Sequence, residues 1–255
     1  MLTRDDLLQA LAAIRVMAPV RAEEVTASTN ATATAMAEEG TPEWTLVSAS
    51  HQTEGRGRQG RTWEDVSGRA LLFSVVLRPE GIAPNRAGML SLLAGASMAE
   101  AIRSVTGRRV TCAWPNDLVL HDRKVGGILL ESSIVQGNLR YVVVGIGVNL
   151  DPPDGVEGAA GIGEASMRDL LVAFLERFQA IYDAGEPSFP ERVRIAWLPV
   201  AATIGRLVEA TTMDGRVMTG RATGLDGFGA LKLSTDSGEV RVGFGDVQHL
   251  DQGAA

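Results

Sequence analysis

A chain of 255 residues, 45% hydrophobic and 22% charged, can bury a sizeable core and needs no disulfide staples. Its net charge of −7 argues against a general nucleic-acid binder, which needs a surface excess of Lys and Arg. The single cysteine, Cys112, excludes an intrachain bridge and a zinc framework, and with no apolar leader and no run of about 18 apolar residues the expectation is a cytoplasmic protein outside the membrane.

Residues 5–14 place Leu7, Leu8, Leu11 and Ile14 on one stripe and predict a short amphipathic helix. Too little chain precedes Ser28 for the three packed helices, roughly 50 residues, of a helix-turn-helix unit. Ser28, Thr29 and Asn30 offer caps for a helix over 31–39, which Gly40 closes. Residues 44–50 read as a strand, 51–68 as a polar glycine-rich loop, and 70–77 as a buried strand stopped by Pro79. A long helix follows from about 86 to 105, with Met89, Leu92, Leu93, Ala96, Ala99 and Ile102 as its core stripe. Strand-like runs at 110–114, 119–121, 125–132 and 139–150, joined by tight turns, predict an antiparallel sheet rather than alternating βαβ units.

Residues 151–164 form a Gly/Pro/Asp loop, after which Met167, Leu170, Leu171, Phe174, Leu175, Phe178, Ile181 and Tyr182 mark an amphipathic helix. A shorter helix at 190–197 precedes Pro199. From Gly205 short β-like runs alternate with the turn signals Asp214-Gly215, Asp226-Gly227 and Asp236-Ser237-Gly238. These predict a small β-barrel, with a domain boundary near Val200.

Three stretches carry chemistry. Gly55-Arg56-Gly57-Arg58-Gln59-Gly60-Arg61 contains a G-x-G-x-x-G, but the following Thr62-Trp63-Glu64-Asp65 does not open a helix, so a dinucleotide fold is disfavoured. Arginines alternating with glycines suit an anion clamp: glycine lets backbone close on a ligand, and each guanidinium grips carboxylate or phosphate oxygens with a planar fork. Trp114-Pro115-Asn116-Asp117 ends a strand and is followed by Lys124-Val125-Gly126-Gly127. This pattern aims an ammonium at a ligand lying on bare backbone, with Asn116 and Asp117 as oxygen partners for a metal-bound triphosphate. The bland alternative is an ordinary Asn-Asp turn beside a solvated lysine. Gly145-Ile146-Gly147-Val148-Asn149 suggests close approach of something flat, with Asn149 able to bond a base edge. No G-x-x-x-x-G-K-[ST] occurs, and His51, His121 and His249 form no ligand pattern.

Taken in order, Ser28-Thr29-Asn30, Gln52, the Gly55 to Trp63 stretch, Trp114-Pro115-Asn116-Asp117, Arg123-Lys124-Val125-Gly126-Gly127 and Gly145-Ile146-Gly147-Val148-Asn149 resemble the biotin protein ligase family. The resemblance implies an α/β fold related to class II aminoacyl-tRNA synthetases: a mixed, largely antiparallel sheet with helices, plus a small C-terminal SH3-like β-barrel. Residues 1–200 would then be a biotin- and ATP-binding catalytic domain and 201–255 the SH3-like domain.

Carried over by position, Ser28, Thr29, Asn30 and Gln52 would bind biotin's ureido head and chain. Gly55, Arg56, Gly57 and Arg58 would cover biotin and its adenylate, while Lys124, beside Gly126 and Gly127, would meet the carboxyl and α-phosphate oxygens. Arg56, Arg58, Arg61, Trp63, Asn116 and Asn149 would contact the nucleotide, Trp63 and Asn149 at the adenine. Lys124, Arg58 and Asp117 would be catalytic, Asp117 also serving Mg²⁺ carried with ATP. Biotin and ATP are the implied substrates, without a tightly bound prosthetic group. The implied partner is the biotin carboxyl carrier protein of a biotin-dependent carboxylase; a homodimer is compatible, and DNA is not expected.

Two departures stand out. The family often has a base just before Trp-Pro-Asn-Asp, whereas Ala113 stands here, so a charge on the phosphate path would come from Arg123 or the C-terminal domain. The repressor branch's N-terminal winged helix is also missing, and no operator binding is expected. The rival readings are a lipoate or octanoyl ligase on the same fold, whose Arg-Arg-x-x-Gly-Gly-Gly segment is missing, and a non-catalytic biotin sensor.

Overall fold

The structure, a computed structural model, describes residues 1–183, 185–212, 215–243 and 245–250. Helix α1 (Arg4–Ala13) starts in a reciprocal cap: the Thr3 hydroxyl accepts from Asp6 N–H, and the Asp6 carboxylate accepts from Thr3 N–H. It buries Leu7, Ala10 and Leu11. Next comes β1 (Val20–Thr26), which the sequence did not reveal. Tandem Glu23 and Glu24 break its two-residue alternation; the strand lies at a sheet edge with three of its seven residues exposed and none buried.

Strand β1 runs parallel to β2 (Leu46–Gln52), pairing Val20 with Leu46 through Thr26 with Gln52. The remaining pairings of the first sheet are antiparallel. They join β3 (Ala70–Leu77), β4 (Thr111–Ala113), β5 (Asp117–Leu120), β6 (Arg123–Val135) and β7 (Asn138–Asn149) in the order β1-β2-β3-β7-β6-β5-β4. The sheet is therefore mixed and largely antiparallel, as expected.

One face of this sheet carries the large core. Helix α3 (Gly88–Thr106) lies against it and is flanked by α4 (Met167–Ile181) and α5 (Phe189–Trp197). Leu71, Phe73, Val75 and Leu77 of β3 belong to this core, and Phe73 meets Phe174 edge-on with ring centroids 5.2 Å apart. The opposite face holds α2 (Thr29–Glu38), whose Ala33 and Ala37 lie against Val47, Val76 and Val143. These small side chains let the helix sit low. Because α2 is short, it leaves the middle of that face open.

After the short turn at Leu198–Val200, a second sheet forms from β8 (Leu207–Thr211), β9 (Val217–Leu225), β10 (Leu231–Thr235), β11 (Gly238–Val242) and β12 (Asp246–His249). It is antiparallel throughout, in the order β11-β10-β9-β8-β12. Of the expected turns, Asp214 falls outside the described residues. This SH3-like unit docks beside β4 and β5. Trp114 N–H donates to the Thr203 hydroxyl at 2.9 Å, its indole N–H donates to Gly229 O at 3.0 Å, and Arg206 pairs with Asp122 at 2.7 Å. Among the described residues no helix is long and apolar enough to cross a membrane.

Phe174 is fully buried between Phe73 and Phe178. Phe174→Ala is expected to cost about 3–5 kcal/mol through lost transfer energy and a residual cavity, read as a lower urea midpoint by circular dichroism. A loss below about 1 kcal/mol would mean that the core closes around the gap.

Candidate active site

The open face of the first sheet is the floor of the site. Strand register aligns Leu72, Gly147, Gly127 and Asp117 in one row across four strands, and Ser74, Gly145 and Leu129 in the next. Side chains alternate across a sheet, so the intervening Phe73, Ile146 and Ile128 face the helical core. Above the two rows lies a cavity of about 420 Å³, within the range of small-molecule sites.

The two glycines of β7 are explained by what lies on them. A Cβ on Gly145 would come within 2.0 Å of Asn30 Oδ1, and one on Gly147 within 2.7 Å of the Trp63 indole. The flat object expected against these glycines is thus, in this structure, the protein's own: the Trp63 indole on Gly147 and the Asn30 amide on Gly145. Gly127 also faces the cavity, near Trp63, Lys124 and Asp117. Its neighbour Gly126 faces the other way, where a Cβ would meet Gly147 O and Leu118. Packing within the sheet accounts for Gly126, which does not line the cavity.

At one end of the cavity the N-terminus of α2 builds a buried polar floor. The Ser28 hydroxyl caps the helix at Ala31 N–H. Thr29 N–H and its hydroxyl donate to Gln52 Oε1 at 2.8 and 3.1 Å. The Ser74 hydroxyl lies 2.7 Å from Asn30 Oδ1 and 2.9 Å from Thr29 Oγ1, and Asn30 Nδ2 donates to Glu131 at 2.9 Å. Ser28, Thr29, Asn30 and Ser74 are all buried, so an unpaired group here would carry a desolvation cost.

Lys124 reaches the cavity because of a register shift. Gly126 pairs with Leu118, but Lys124 pairs with Val119, which leaves Val125 as an extra residue in β6. Strict alternation counted back from Gly127 would send Lys124 to the core face. With the bulge, Val125 takes the fully buried position and Lys124 Nζ lies 2.7 Å from Asp117 Oδ1.

The glycine-arginine stretch closes over the floor as a small hairpin. Arg56 bridges to Thr62, Trp63 N–H donates to Gly55 O, and a tight turn at Arg58–Gly60 forms the tip. Gly55 is required there, since a Cβ would come within 2.4 Å of Trp63 O. The hairpin's root is tied to β2 by the buried Asp65 carboxylate, 2.9 Å from His51 Nδ1 and 3.3 Å from Gln52 N–H.

At the tip, Arg58 donates to Asn116 Oδ1 and to Gly245 O, both at 3.2 Å, while Arg61 pairs with Asp246 of β12. Burial lowers the Arg58 pKa from the ordinary guanidinium value, and the Asp246 and Asp117 carboxylates oppose that shift. The guanidinium stays charged.

Of the sequence-predicted residues, Ser28, Thr29, Asn30, Gln52, Arg56, Gly57, Arg58, Arg61, Trp63, Asn116, Asp117, Lys124 and Gly127 line this one cavity. Gly55, Gly126 and Asn149 do not. Asn149 is buried beside the 159–162 segment, where its Nδ2 donates weakly to Ala160 O and Oδ1 has no partner among the described residues. Among the described residues, no base from Arg123 or the C-terminal sheet replaces the one missing at Ala113 on the cavity wall. Arg123 is turned to Ala159 O, and the second sheet brings Glu209, Thr211, Asp246, Val247 and Gln248.

Sequence reasoning missed Ser74, Glu131, Asp65 and Asp246. A lone hydroxyl within the apolar strand Ala70–Leu77 was a usable signal for Ser74. Asp246 had none, because its role depends on how the second sheet docks.

Two substitutions separate the tasks of the β7 glycines. Gly147→Ala pushes on a loop side chain that can move. The expected result is unchanged unfolding free energy within about 1 kcal/mol, red-shifted Trp63 fluorescence and faster tryptic cleavage at Arg61. Gly145→Ala collides with a buried amide that cannot, and is expected to cost about 1–3 kcal/mol.

Residues 22–149 match the biotin/lipoate A/B protein ligase family, and residues 203–250 match the biotin protein ligase C-terminal domain. The bifunctional ligase/repressor BirA of Bacillus spizizenii is 31% identical over 241 residues, covering 89% of this chain and 72% of that protein. The biotin--[acetyl-CoA-carboxylase] ligase of Paracoccus denitrificans is 36% identical over 212 residues, covering 76% of this chain and 85% of that protein. In fold, the chain is similar to the biotin protein ligase of Aquifex aeolicus in complex with biotin and ATP, with a TM-score of 0.74 at 24% identity over 91% of this chain and 99% of that one. With both of its regions matched and relatives this similar along most of their length, the chain belongs to the biotin/lipoate A/B protein ligase family.

Proposed function

We propose that the chain is an ATP-dependent biotin protein ligase. The observation that carries this reading is the single cavity in which the buried polar floor, Lys124 and the three clamp arginines converge. The floor presents donors and acceptors suited to a cyclic urea: the Ser28 and Thr29 hydroxyls, the Asn30 amide and the Gln52 side chain. The acid end of the vitamin then points toward Lys124. Trp63 and the clamp cover the adenylate, with Arg56, Arg58, Arg61 and Asn116 around the phosphates and ribose. Residues 1–200 form the catalytic unit and 201–255 the SH3-like companion.

In the first step a biotin carboxylate oxygen attacks the α-phosphorus of ATP, the bond to the bridging oxygen breaks, and pyrophosphate leaves with biotinyl-5′-AMP remaining. Two anions must meet, so cations fixed where charge accumulates lower the barrier. In the structure Lys124 and Arg61 are held by Asp117 and Asp246. Both pairs are partly exposed and individually weak, so phosphate oxygens can take over the cations.

In the second step the ε-amine of a carrier lysine attacks the acyl carbon, the acyl–phosphate bond breaks and AMP leaves. Asp117, released from Lys124, accepts the amine proton. Mg²⁺ carried by ATP fits the donor set, since it keeps most of its waters and phosphate ligands and needs only one or two protein oxygens. Asp117 would provide one, and the metal would supply charge neutralisation on the phosphates. Among the described residues no cluster of three metal-ligating side chains argues for a dedicated metal site. The acceptor is the carrier domain of a biotin-dependent carboxylase.

The test is incubation with ATP, biotin and a biotin carboxyl carrier domain. Mass spectrometry should show biotin added to one carrier lysine, and without carrier the protein should still release pyrophosphate. Binding biotin without pyrophosphate release would leave a sensor, while activity on lipoate alone would move the chain to the other branch of the family.

Lys124→Ala is expected to fold normally and lose adenylate formation by at least about 100-fold, the scale of one removed electrostatic donor. Arg58→Gly is expected to keep making adenylate but let it escape, so that bystander proteins become biotinylated. Strict carrier selectivity in Arg58→Gly would show that Arg58 does not retain the intermediate.

A further inference from the structure

Glu131 stands behind the cavity, and the functional reading above gives it no task. It lies on β6 with Leu129 and Gly127, on the sheet face that carries the site. One carboxylate oxygen accepts from Asn30 Nδ2 at 2.9 Å, and the other lies 3.6 Å from the Arg56 guanidinium. Asn30 belongs to the cavity floor and Arg56 to the clamp. They are 26 residues apart in sequence, and Glu131 touches both.

This contact also decides which way the Asn30 amide faces. An ionised carboxylate only accepts hydrogen bonds, so Glu131 draws the NH₂ end toward itself and Leu129 O, leaving Oδ1 for the Ser74 hydroxyl. With the other face of the amide pressed on bare Gly145, Asn30 has one orientation available. Arg56 and Glu131 are both partly exposed at 52% and 34%. At 3.6 Å that pair is loose, so it can tighten or part without breaking the floor.

We propose that Glu131 is a positioning residue that couples the floor of the cavity to the clamp. It fixes the amide that reads the ligand's polar head, and through Arg56 it transmits occupation of the floor to closure of the Gly55 to Trp63 hairpin. The proposal rests on the reading that biotin's head occupies this floor. It predicts a biotin-side defect: loss of Glu131 impairs capture of the vitamin while leaving the ATP side and the chemistry largely intact.

The experiment measures pyrophosphate release as a function of biotin and, separately, of ATP, for the wild type, Glu131→Ala, Glu131→Gln, Arg56→Ala and the Arg56→Ala/Glu131→Ala double variant. Wild-type turnover with biotin tests the functional reading by itself; if it is absent, that reading fails before Glu131 is questioned. Given wild-type turnover, Glu131→Ala should raise the biotin KM at least tenfold, with kcat and the ATP KM changed less than threefold. Glu131→Gln keeps the shape and one acceptor oxygen, so it should fold even if Glu131→Ala does not, and should raise the biotin KM by a smaller factor.

Coupling also predicts non-additivity: in the Arg56→Ala background, removing Glu131 should cost markedly less than in the wild type. The proposal is overturned by a biotin KM within twofold of wild type in Glu131→Gln and any folded Glu131→Ala. It is equally overturned by additive effects of the two alanine variants, or by a loss confined to kcat.

Discussion

The site depends on bare backbone along one face of β7. At Gly145 and Gly147 side chains from two distant segments, Asn30 of α2 and Trp63 of the hairpin, rest where any Cβ would collide. Hydrogen-bond pairing fixes the register of β7 between β3 and β6, so the two bare patches fall beside Ser74 and Leu72 on one side and Leu129 and Gly127 on the other. Side chains at these two positions would lift α2 and the hairpin off the sheet together. The Asn30 amide would then lose Ser74 and Glu131, at the cost of buried groups left without partners.

Above this floor the electrostatics follow a different logic. The cavity wall carries the cations Arg56, Arg58, Arg61 and Lys124 and the acids Asp117, Glu209 and Asp246, close to charge balance. Lys124 and Asp117 keep 43% and 35% of their side-chain surface, and Arg61 and Asp246 keep 65% and 32%. Pairs this exposed contribute about 0–1 kcal/mol, so exchanging a carboxylate for a phosphate oxygen meets little resistance. The floor is buried, directional and expensive to disturb, whereas the roof is solvated and its pairings are cheap to exchange. That division suits the proposed tasks, recognition of a neutral polar head below and neutralisation of a developing anion above.

Periodicity carried most of the fold in the sequence. The stripes of α1, α3 and α4 came from apolar residues that are mostly buried, although Leu8 of the α1 stripe is 37% exposed, and the hairpin chain from β4 to β7 from turn-bounded apolar runs. Strand β1 escaped because an edge strand with tandem glutamates has no clean alternation. The glycines at 145 and 147 were correctly read as places of close approach, but local sequence does not say what approaches, and Gly126 looked equivalent to Gly127 until strand pairing put them on opposite faces. The bulge at Val125, which turns Lys124 into the cavity, was equally invisible: it is a property of pairing between β5 and β6. Ser74, Glu131 and Asp246 act through partners 44, 101 and 185 residues away, separations that no local pattern encodes.

The segment from Trp114 to Asp117 ties the second sheet to the site. Trp114 is held at its backbone N–H by Thr203 and at its indole N–H by Gly229, two groups of the C-terminal unit. Asn116 exchanges hydrogen bonds with Ile128 on β6 and receives Arg58 from the hairpin, while Asp117 holds Lys124. Arg58 also reaches back to Gly245, just before β12. These contacts close a circuit: C-terminal sheet, Trp114, Asn116, Arg58 and C-terminal sheet again. A shift of that sheet by an ångström would move the partners of Arg58 at both ends, and productive geometry tolerates little misplacement. The small sheet brings no cation of its own to the cavity among the described residues. Its contribution is to hold in register the backbone and side chains through which the first domain presents its cations.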